Sequence, residues 1–263
     1  MTRGARPLTT LLLPGLDGTG RLFSRFLAEA DGALDLRVLS YPPDRYLDYA
    51  RLEKLVARQV PKGPFALLGE SFGGPLALRV AARAPAGLVA VVLAASFHRR
   101  PAARLFRAAS PLGPAFFRLP LPAHAVRLLL AGHDAPDDLV EDVRGAVASV
   151  RWRVMAARAR EALRVDATDT LRRCPVPLLF LGGKHDRLLR SALPIEIRTL
   201  RADAEIRMLE GPHLVLQRRS AEAMQIVREF LLRSASRLET APDARRGRPR
   251  EGAAPGPSGP VAP

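Results

Sequence analysis

The sequence predicts an α/β protein built on a mostly parallel sheet of about six strands, with helices on both faces. Short apolar runs of strand length alternate with segments that have the apolar spacing of amphipathic helices. A glycine-rich turn that contains a serine directly follows the third apolar run. The chain has 263 residues, of which 48% are hydrophobic, so it can bury one sizeable core. We therefore expect one main globular unit.

Six apolar runs are the candidate strands. They are Leu8–Leu13, Leu36–Tyr41, Phe65–Leu68, Leu88–Ala94, Val176–Leu181 and Glu205–Leu209. Apolar residues recur at helical spacing over Tyr46–Val60, Pro75–Ala84 and Ala221–Leu232. Apolar runs that are separated by helices are typical of parallel strands buried on both faces.

The alternation stops between residues 97 and 165, where prolines interrupt short helical patterns and no strand-like run occurs. We interpret residues 97–165 as an inserted helical cap, and residues 1–96 and 166–239 as the main domain. Residues 240–263 are dominated by Pro, Gly, Ala and Arg and lack apolar periodicity. Such a segment cannot offset the entropy of ordering, so we expect a disordered basic tail.

The formal net charge of +15 raises the question of a nucleic-acid partner. The arginines recur along the whole chain without a basic cluster, interleaved aromatic residues or a recognisable nucleic-acid module. We therefore predict no nucleic-acid partner. An acidic carrier partner stays open, because a basic surface steers anionic partners toward a protein.

Cellular location is inferred from three features of the sequence. Cys174 is the only cysteine, which excludes an internal disulfide. The apolar run near the start ends at Pro14 without a small-residue cleavage site, unlike a secretory signal. No apolar run approaches the length of about 18 residues that spans a bilayer. These features predict a cytoplasmic protein without stable membrane insertion, and they leave the oligomeric state open.

The stretch FALLGESFGG, residues 65–74, is the most informative part of the sequence. It places G-x-S-x-G directly after a predicted strand and directly before a predicted helix. This is the setting of a serine nucleophile on a sharp strand-to-helix turn, where Gly69 and Gly73 allow close backbone approach. The alternative is a glycine-rich turn in which Ser71 only caps a helix.

This pattern resembles the α/β-hydrolases, over Leu8 to about Leu232. The resemblance implies the α/β-hydrolase fold and a triad in the chain order serine, acid, histidine. In that order Ser71 is the nucleophile, Asp186 follows a late strand as the acid, and His213 follows the last strand as the general base. The alternative for Asp186 is that it caps a following helix.

Other acids and histidines compete for these roles. The cap acids are Asp134, Asp137, Asp138, Glu141 and Asp142, which cluster where a helix start attracts negative charge for its own reasons. The other histidines are His98, His124, His133 and His185. We expect the first three to be ordinary surface or cap residues, and the ring of His185 to point away from Asp186. No pair of histidines has the spacing of a metal site, so no metal and no cofactor is predicted.

Two backbone N–H groups are expected to form an oxyanion hole. One belongs to Phe72, the residue after the nucleophile. By resemblance, the His-Gly-x loop of the family maps onto Pro14-Gly15-Leu16, which makes the N–H of Leu16 the second donor. Pro14 stands where the family more often has histidine. The alternative of a phosphate-binding loop lacks its Gly-Lys-Ser/Thr ending.

These residues together predict a serine hydrolase that cleaves a carboxylic ester or thioester, a small-molecule acyl substrate, through an acyl-serine intermediate. The alternatives are an acyltransferase that uses the same acyl-serine and a non-catalytic binding protein on the same scaffold. Nine apolar cap residues are candidates for an acyl pocket, although any one of them is more simply a packing residue. They are Leu105, Phe106, Phe116, Phe117, Leu128, Leu129, Leu130, Trp152 and Met155.

Overall fold

The computed structural model describes residues 7–101 and 117–240, apart from the side chain of residue 239. It contains one sheet of six parallel strands in the spatial order β2-β1-β3-β4-β5-β6. The strands are β1 (Leu8–Leu13), β2 (Leu34–Val38), β3 (Phe65–Glu70), β4 (Leu88–Ala94), β5 (Leu178–Gly183) and β6 (Glu205–Leu209). The predicted fold class, a parallel sheet of about six strands, is confirmed.

Helices connect the strands and cover both faces of the sheet. In the described part of the chain they are α1 (Ser24–Leu27), α2 (Tyr49–Ala57), α3 (Gly73–Ala82), α4 (Ala123–Val126), α5 (Asp137–Ala148), α6 (Trp152–Arg164), α7 (Thr168–Arg172), α8 (Leu193–Leu200), α9 (Val215–Arg218) and α10 (Ser220–Thr240). A 3₁₀ turn at Arg21–Phe23 precedes α1, and a π-helical turn at Arg127–Ala131 follows α4. Among these helices, none combines the length and the apolar character needed to cross a membrane.

Strand β3 divides the core between the two faces of the sheet. All six of its residues are buried. Because side chains alternate along a strand, Phe65 and Leu67 join the apolar cluster that includes α2 and α3. Ala66 and Leu68 join the cluster on the opposite face, which includes α1 and α10. The pairing of Gly69 with Leu13 of β1 sets the register at the end of β3 and so positions the turn that follows it.

The strand order reverses between β1 and β3. The chain leaves β1 for β2 on one side, and leaves β3 for β4 on the other side. In a parallel sheet, ligands bind in the crevice that such a reversal opens at the carboxyl ends of the strands. Leu13 and Gly69 are paired at these ends, so the turns that begin at Pro14 and Ser71 face each other.

The segment between β4 and β5 contains α4, α5 and α6, and we call residues 99–166 the helical insertion. An isolated antiparallel bridge pairs Arg99 with Asp166, and the N–H of Ala167 donates to the carbonyl of His98 at 2.6 Å. The two ends of the insertion therefore meet beside the sheet. The cap boundaries at residues 97 and 165 stay a prediction.

The observed end of a strand differs from the predicted end where buried apolar residues continue beyond the hydrogen-bonded part of the strand. Strand β2 ends at Val38, although the apolar run continues to Tyr41. Leu39 and Tyr41 are buried because the chain there covers the loop after β1, where the N–H of Tyr41 donates to the carbonyl of Gly18 at 2.7 Å.

Helix α10 continues eight residues beyond the predicted end at Leu232, reaching Thr240. The hydroxyls of Ser234 and Ser236 each donate to the carbonyl four residues earlier, so both polar side chains are satisfied within the helix. Thr240 was expected to open the tail and instead closes this helix. The rest of the predicted tail, residues 241–263, lies outside the described residues.

Candidate active site

Ser71 lies in the turn between β3 and α3 with a φ of 49°. This left-handed conformation costs a non-glycine residue about 1–3 kcal/mol and persists only where the surroundings impose it. The N–H of Ser71 donates to the carbonyl of Ala94 at 3.0 Å, which ties the turn to the neighbouring strand. A Cβ at Gly69 would lie 2.5 Å from the carbonyl oxygen of Gly73, so the sharp turn requires glycine there. The turn places the half-buried Ser71 at the end of the sheet.

Ser96 supports this turn, and no local sequence pattern indicates that it does so. Its buried hydroxyl donates to the carbonyl oxygen of Ser71 at 2.6 Å. The same carbonyl also accepts the N–H of Gly74 at 3.1 Å. Ser96 can do this because it follows β4, the parallel neighbour of β3, so the two strand ends lie side by side. The backbone on both sides of the Ser71 side chain is therefore anchored.

Replacing Gly74 by alanine is expected to damage the turn. The new Cβ would lie 2.6 Å from the Cβ of Ser96 and would displace the hydroxyl that holds the Ser71 carbonyl. Overpacking of this kind costs about 1–3 kcal/mol, and we expect a lower Tm together with a lower kcat. Gly145→Ala in α5 is the matched control, because among the described residues no atom beyond the surrounding backbone of α5 lies within 4 Å of the added Cβ. Equal Tm and kcat in the two variants would contradict this role of Gly74.

Ser71, His213 and Asp186 are brought together from three strand ends. Nε2 of His213 lies 3.1 Å from Oγ of Ser71, and Nδ1 of the same ring lies 2.7 Å from Oδ2 of Asp186. Asp186 follows β5, and His213 follows β6, at the same edge of the sheet. The loops can come close because a Cβ at Gly183 would lie against the carbonyls of Gly211 and Pro212.

Both sequence interpretations of Asp186 describe part of its geometry. Its Oδ1 accepts the N–H groups of Leu188 and Leu189 at 2.8 and 3.0 Å, as a capping carboxylate does. Its Oδ2 faces His213. The carboxylate is therefore held by backbone on one side and presents a single fixed acceptor to the imidazole on the other.

The electrostatics of the pair favour a charged carboxylate beside the imidazole. Burial opposes the charge on Asp186, but the facing His213 and the two backbone donors outweigh burial and lower the pKa of Asp186. Burial likewise disfavours a charged His213, yet the charge of Asp186 and its hydrogen bond raise the pKa of His213 above the ordinary 6.5. This arrangement stabilises an imidazolium while keeping the proton on Nδ1.

Glu70, the residue before Ser71, is a buried acid that the sequence analysis did not single out. Its carboxylate accepts a hydrogen bond from Nε2 of Gln217 at 2.9 Å, and Gln217 follows His213 by four residues. Burial raises the pKa of Glu70 to about 7, and Gln217 partly opposes this increase. The charge of Glu70 in turn raises the pKa of His213. The charge of each group therefore stabilises the charged form of the other.

The pH dependence of kcat/KM is expected to report this pair. A general base at His213 would have to be neutral to accept a proton, so we expect activity to fall as pH drops through its raised pKa, above the ordinary 6.5. An ionised Glu70 stabilises the imidazolium, so Glu70→Gln is expected to move the acidic limb to lower pH. The acidic limb should also cover a narrower pH range and follow the curve of a single protonation, because a glutamine at position 70 keeps the hydrogen bond to Gln217 without titrating. A limb that is unchanged in Glu70→Gln would contradict the coupling.

The N–H groups of Leu16 and Phe72 lie on the two facing turns. Among the described residues, neither N–H donates to a protein acceptor. The carbonyl of Gly15 accepts the N–H of Gly18 at 3.0 Å, which fixes the peptide plane that carries the Leu16 N–H. A Cβ at Gly15 would lie 3.8 Å from the Cβ of Ser71, so this loop passes directly beside the serine. Their role as an oxyanion hole stays a prediction.

Two buried tyrosines support the two facing turns, one at Phe72 and the other at Pro14. The hydroxyl of Tyr49 donates to the carbonyl of Phe72 at 3.0 Å, and the two rings stack with centroids 4.7 Å apart. The hydroxyl of Tyr41 donates to the carbonyl of Pro14 at 3.3 Å. Pro14 stands where the family more often has histidine, and its loop is supported by Tyr41.

None of the competing histidines and acids in the described part of the chain forms a hydrogen bond with Ser71. His98 is not a surface residue, because its side chain is 1% exposed and its ring lies 3.9 Å from Glu196. His185 bonds Glu210 at 3.0 Å and not Asp186. In the first turn of α5, Asp137 pairs with Arg127 and Asp138 pairs with Arg25. Within residues 7–101 and 117–240, no group of three His, Cys, Asp or Glu could hold a metal ion.

A cleft of about 740 Å³ opens at the carboxyl ends of β5 and β6. It borders Asp186 and Pro212 and is lined mainly by polar and charged residues, including His133, Arg187 and Arg218. Its lining does not include Ser71, so we do not assign it to the acyl group. Of the predicted acyl-pocket residues, Leu105, Phe106 and Phe116 lie outside the described residues.

Comparison with known proteins places this geometry in a family. The model of the "Alpha/beta hydrolase family" matches residues 10–225. A lipase-esterase related protein from Clostridium acetobutylicum ATCC 824 has 16% identity and a TM-score of 0.70, covering 85% of this chain and 94% of its own. MenH from S. aureus has 16% identity and a TM-score of 0.71, covering 88% of this chain and 96% of its own.

A structure from a study of carboxylesterases of Nitrososphaera gargenis has 17% identity and a TM-score of 0.68, covering 88% of this chain and 92% of its own. No curated protein sequence matches the chain. At these identities the solved structures are alike in fold alone, whereas the family model covers most of the sequence directly. The chain belongs to the α/β hydrolase family.

Proposed function

We propose that the protein is a serine hydrolase that cleaves a carboxylic ester or thioester through an acyl-serine intermediate. The observation that carries the proposal is the continuous line of hydrogen bonds from Asp186 through His213 to Ser71, with distances of 2.7 and 3.1 Å. A serine hydroxyl is a weak nucleophile at neutral pH, and a base at this distance is what activates it.

Acylation begins with the attack of Ser71 on the substrate. Nε2 of His213 takes the proton as Oγ of Ser71 bonds to the substrate carbonyl carbon, whose C=O electron pair moves onto the oxygen. The N–H groups of Leu16 and Phe72 bind that oxyanion from the two facing turns. Each such donor lowers the barrier by about 3–4 kcal/mol. Collapse of the intermediate expels the alcohol or thiol, which leaves with the proton from His213.

Deacylation reverses these roles. Water gives a proton to His213 as its oxygen attacks the acyl carbon. The second tetrahedral intermediate then collapses, the carboxylic acid is released, and Oγ of Ser71 leaves with the proton from His213. Asp186 stays ionised throughout and stabilises the imidazolium in both steps. The lowered pKa of Asp186 supports this role.

The decisive experiment is covalent labelling of Ser71. A fluorophosphonate probe is expected to label the wild-type chain at Ser71 and to leave Ser71→Ala unlabelled, as read by intact mass and peptide mapping. A panel of p-nitrophenyl esters of increasing acyl length, with an acyl thioester included, then identifies the preferred acyl group. A folded wild-type protein that neither reacts with the probe nor turns over any substrate would favour the binding-protein alternative.

Hydrolysis and acyl transfer share the acyl-serine and differ in what attacks it. Transfer requires a site that excludes water from the intermediate. The product ratio in the presence of a competing alcohol or amine distinguishes the two, and we expect free acid to dominate. Transfer product in excess over free acid would replace the hydrolase proposal with the acyltransferase.

A further inference from the structure

Arg158 is the one charged residue among the buried positions of α6. The neighbouring buried positions are Val154, Met155, Ala159 and Ala162. Arg158 itself is 1% exposed. A helix that only had to pack against the main domain would carry an apolar residue at this position, because a buried charge is costly unless it is compensated.

Backbone carbonyls of the main domain bind the two Nη groups of the guanidinium, whereas its buried Nε has no partner in the described chain. Its Nη1 donates to the carbonyls of Leu16 and Asp17 at 3.1 and 2.5 Å, and its Nη2 donates to the carbonyl of Pro42 at 2.9 Å. The group also lies over the ring of Tyr41, 5.5 Å from the centroid. Within the described chain, no carboxylate forms an ion pair with Arg158. The fork geometry of arginine allows these three bonds at once, which a lysine ammonium cannot match in direction.

The loop after β1 is shaped around this side chain. Gly18 has a φ of 67°, and a Cβ there would lie 2.6 Å from Nη1 of Arg158. Asp17 does not pair with the guanidinium and instead binds the backbone and hydroxyl of Thr19. The carbonyls of residues 16 and 17 are therefore free to point at Arg158.

The side chain of Leu16 reaches the same helical insertion. It packs against the buried cluster of Val150, Val154 and Met155. Leu16 is thus held by the insertion at two points, through its side chain and through its carbonyl oxygen. Its N–H is the group assigned above to the oxyanion. The segment that supplies this donor is fixed by α6 as well as by the sheet.

We propose that Arg158 is a positioning residue through which the helical insertion sets the Leu16 oxyanion donor beside Ser71. This inference rests on the proposed function and extends it. It gives the helical insertion a part in stabilising the transition state, in addition to covering the substrate. The donor acts on charge that exists only in the transition state, so its displacement lowers kcat more than it raises KM. A misplacement of about 1 Å in such a site reduces the rate by about 100-fold.

The test compares Arg158→Met and Arg158→Lys with Tyr46→Phe. Tyr46 donates to Glu161 of α6 at 2.8 Å. Its variant therefore removes a hydrogen bond between the insertion and the main domain without changing a contact of the loop after β1, which carries Leu16. We expect kcat to fall by about 10- to 100-fold in Arg158→Met, with KM changed by less than about three-fold. Arg158→Lys keeps the charge and should be intermediate, and Tyr46→Phe should keep the wild-type kcat.

A second readout is inhibition by a trifluoromethyl ketone, which bonds to Ser71 and places an oxyanion against the same donors. Its Ki is expected to rise in parallel with the loss of kcat in the arginine variants, and to stay unchanged in Tyr46→Phe. If Arg158→Met does not fold, as shown by its melting curve, Arg158→Lys decides the question. Kinetic constants and Ki for the lysine variant that equal those of the wild type would then overturn the proposal.

The outcomes separate this inference from the proposed function. A wild-type protein that is inert toward the fluorophosphonate probe and esters ends the proposed function, and this inference with it. An active wild type with a folded Arg158→Met variant of unchanged kcat ends this inference alone. So does a loss of the same size in Tyr46→Phe, or an increase confined to KM, because either result assigns Arg158 to general packing or substrate binding.

Discussion

Ser71→Ala is expected to abolish ester hydrolysis while leaving the fold intact. In the proposed mechanism the hydroxyl oxygen forms the bond to the acyl group, and it contacts the imidazole of His213 rather than the apolar core. Loss of a triad serine reduces kcat by about a million-fold, so the residual rate should lie near the background of the assay. Turnover by purified protein and its melting curve check both halves of this expectation.

The double variant gives the internal control for this result. His213→Ala alone should fall to a floor similar to that of Ser71→Ala, since triad members act as a unit. Ser71→Ala combined with His213→Ala should then be no worse than either single variant. Additive losses would show that the two residues do not serve one mechanism, and more than a few per cent of wild-type turnover in Ser71→Ala would remove it as the nucleophile.

Asp186→Asn is expected to lower kcat by about 10⁴-fold with little change in structure. An asparagine can still accept the N–H groups of Leu188 and Leu189 through its remaining oxygen. The amide nitrogen then faces Nδ1 of His213, so the ring must accept there and carry its proton on Nε2, toward Ser71. That tautomer cannot take the serine proton, and the pH profile should lose its normal acidic limb.

The controls for this variant lie in the first turn of α5. Asp137 and Asp138 are acids of the helical insertion that pair with Arg127 and Arg25 at the protein surface. Their asparagine variants are expected to keep the wild-type kcat. A collapse of kcat in either of them, combined with near-normal activity of Asp186→Asn, would move the catalytic acid into the insertion.

Local signals explain which parts of the site could be predicted from the sequence. The strand, turn and helix around Ser71 are contiguous in the sequence. Residues 65–74 alone therefore predict both the local structure and the nucleophile. Asp186 and His213 come after strands whose apolar runs are equally local. The chain order of the family then supplies the pairing that spacing alone does not give.

The supporting residues could not be predicted in this way, because their partners are far away in the sequence. Gln217 bonds Glu70 across 147 positions, and Arg158 bonds Leu16 across 142. One signal was nevertheless available. A charged residue at position 158 interrupts an apolar stripe of period 3.6 in α6, which marks a buried charge that needs compensation.

The antiparallel bridge between Arg99 and Asp166 holds the two ends of the helical insertion together, and we call this pair of residues its neck. Chain beyond a closed neck can lengthen or shorten without pulling β4 and β5 out of register, and each doubling of its length costs only about 0.6 kcal/mol of closure entropy. The neck is therefore a natural point for exchanging one helical segment for another by recombination. Such an exchange carries one constraint, because a transplanted segment must bring its own donor for the carbonyls of residues 16 and 17.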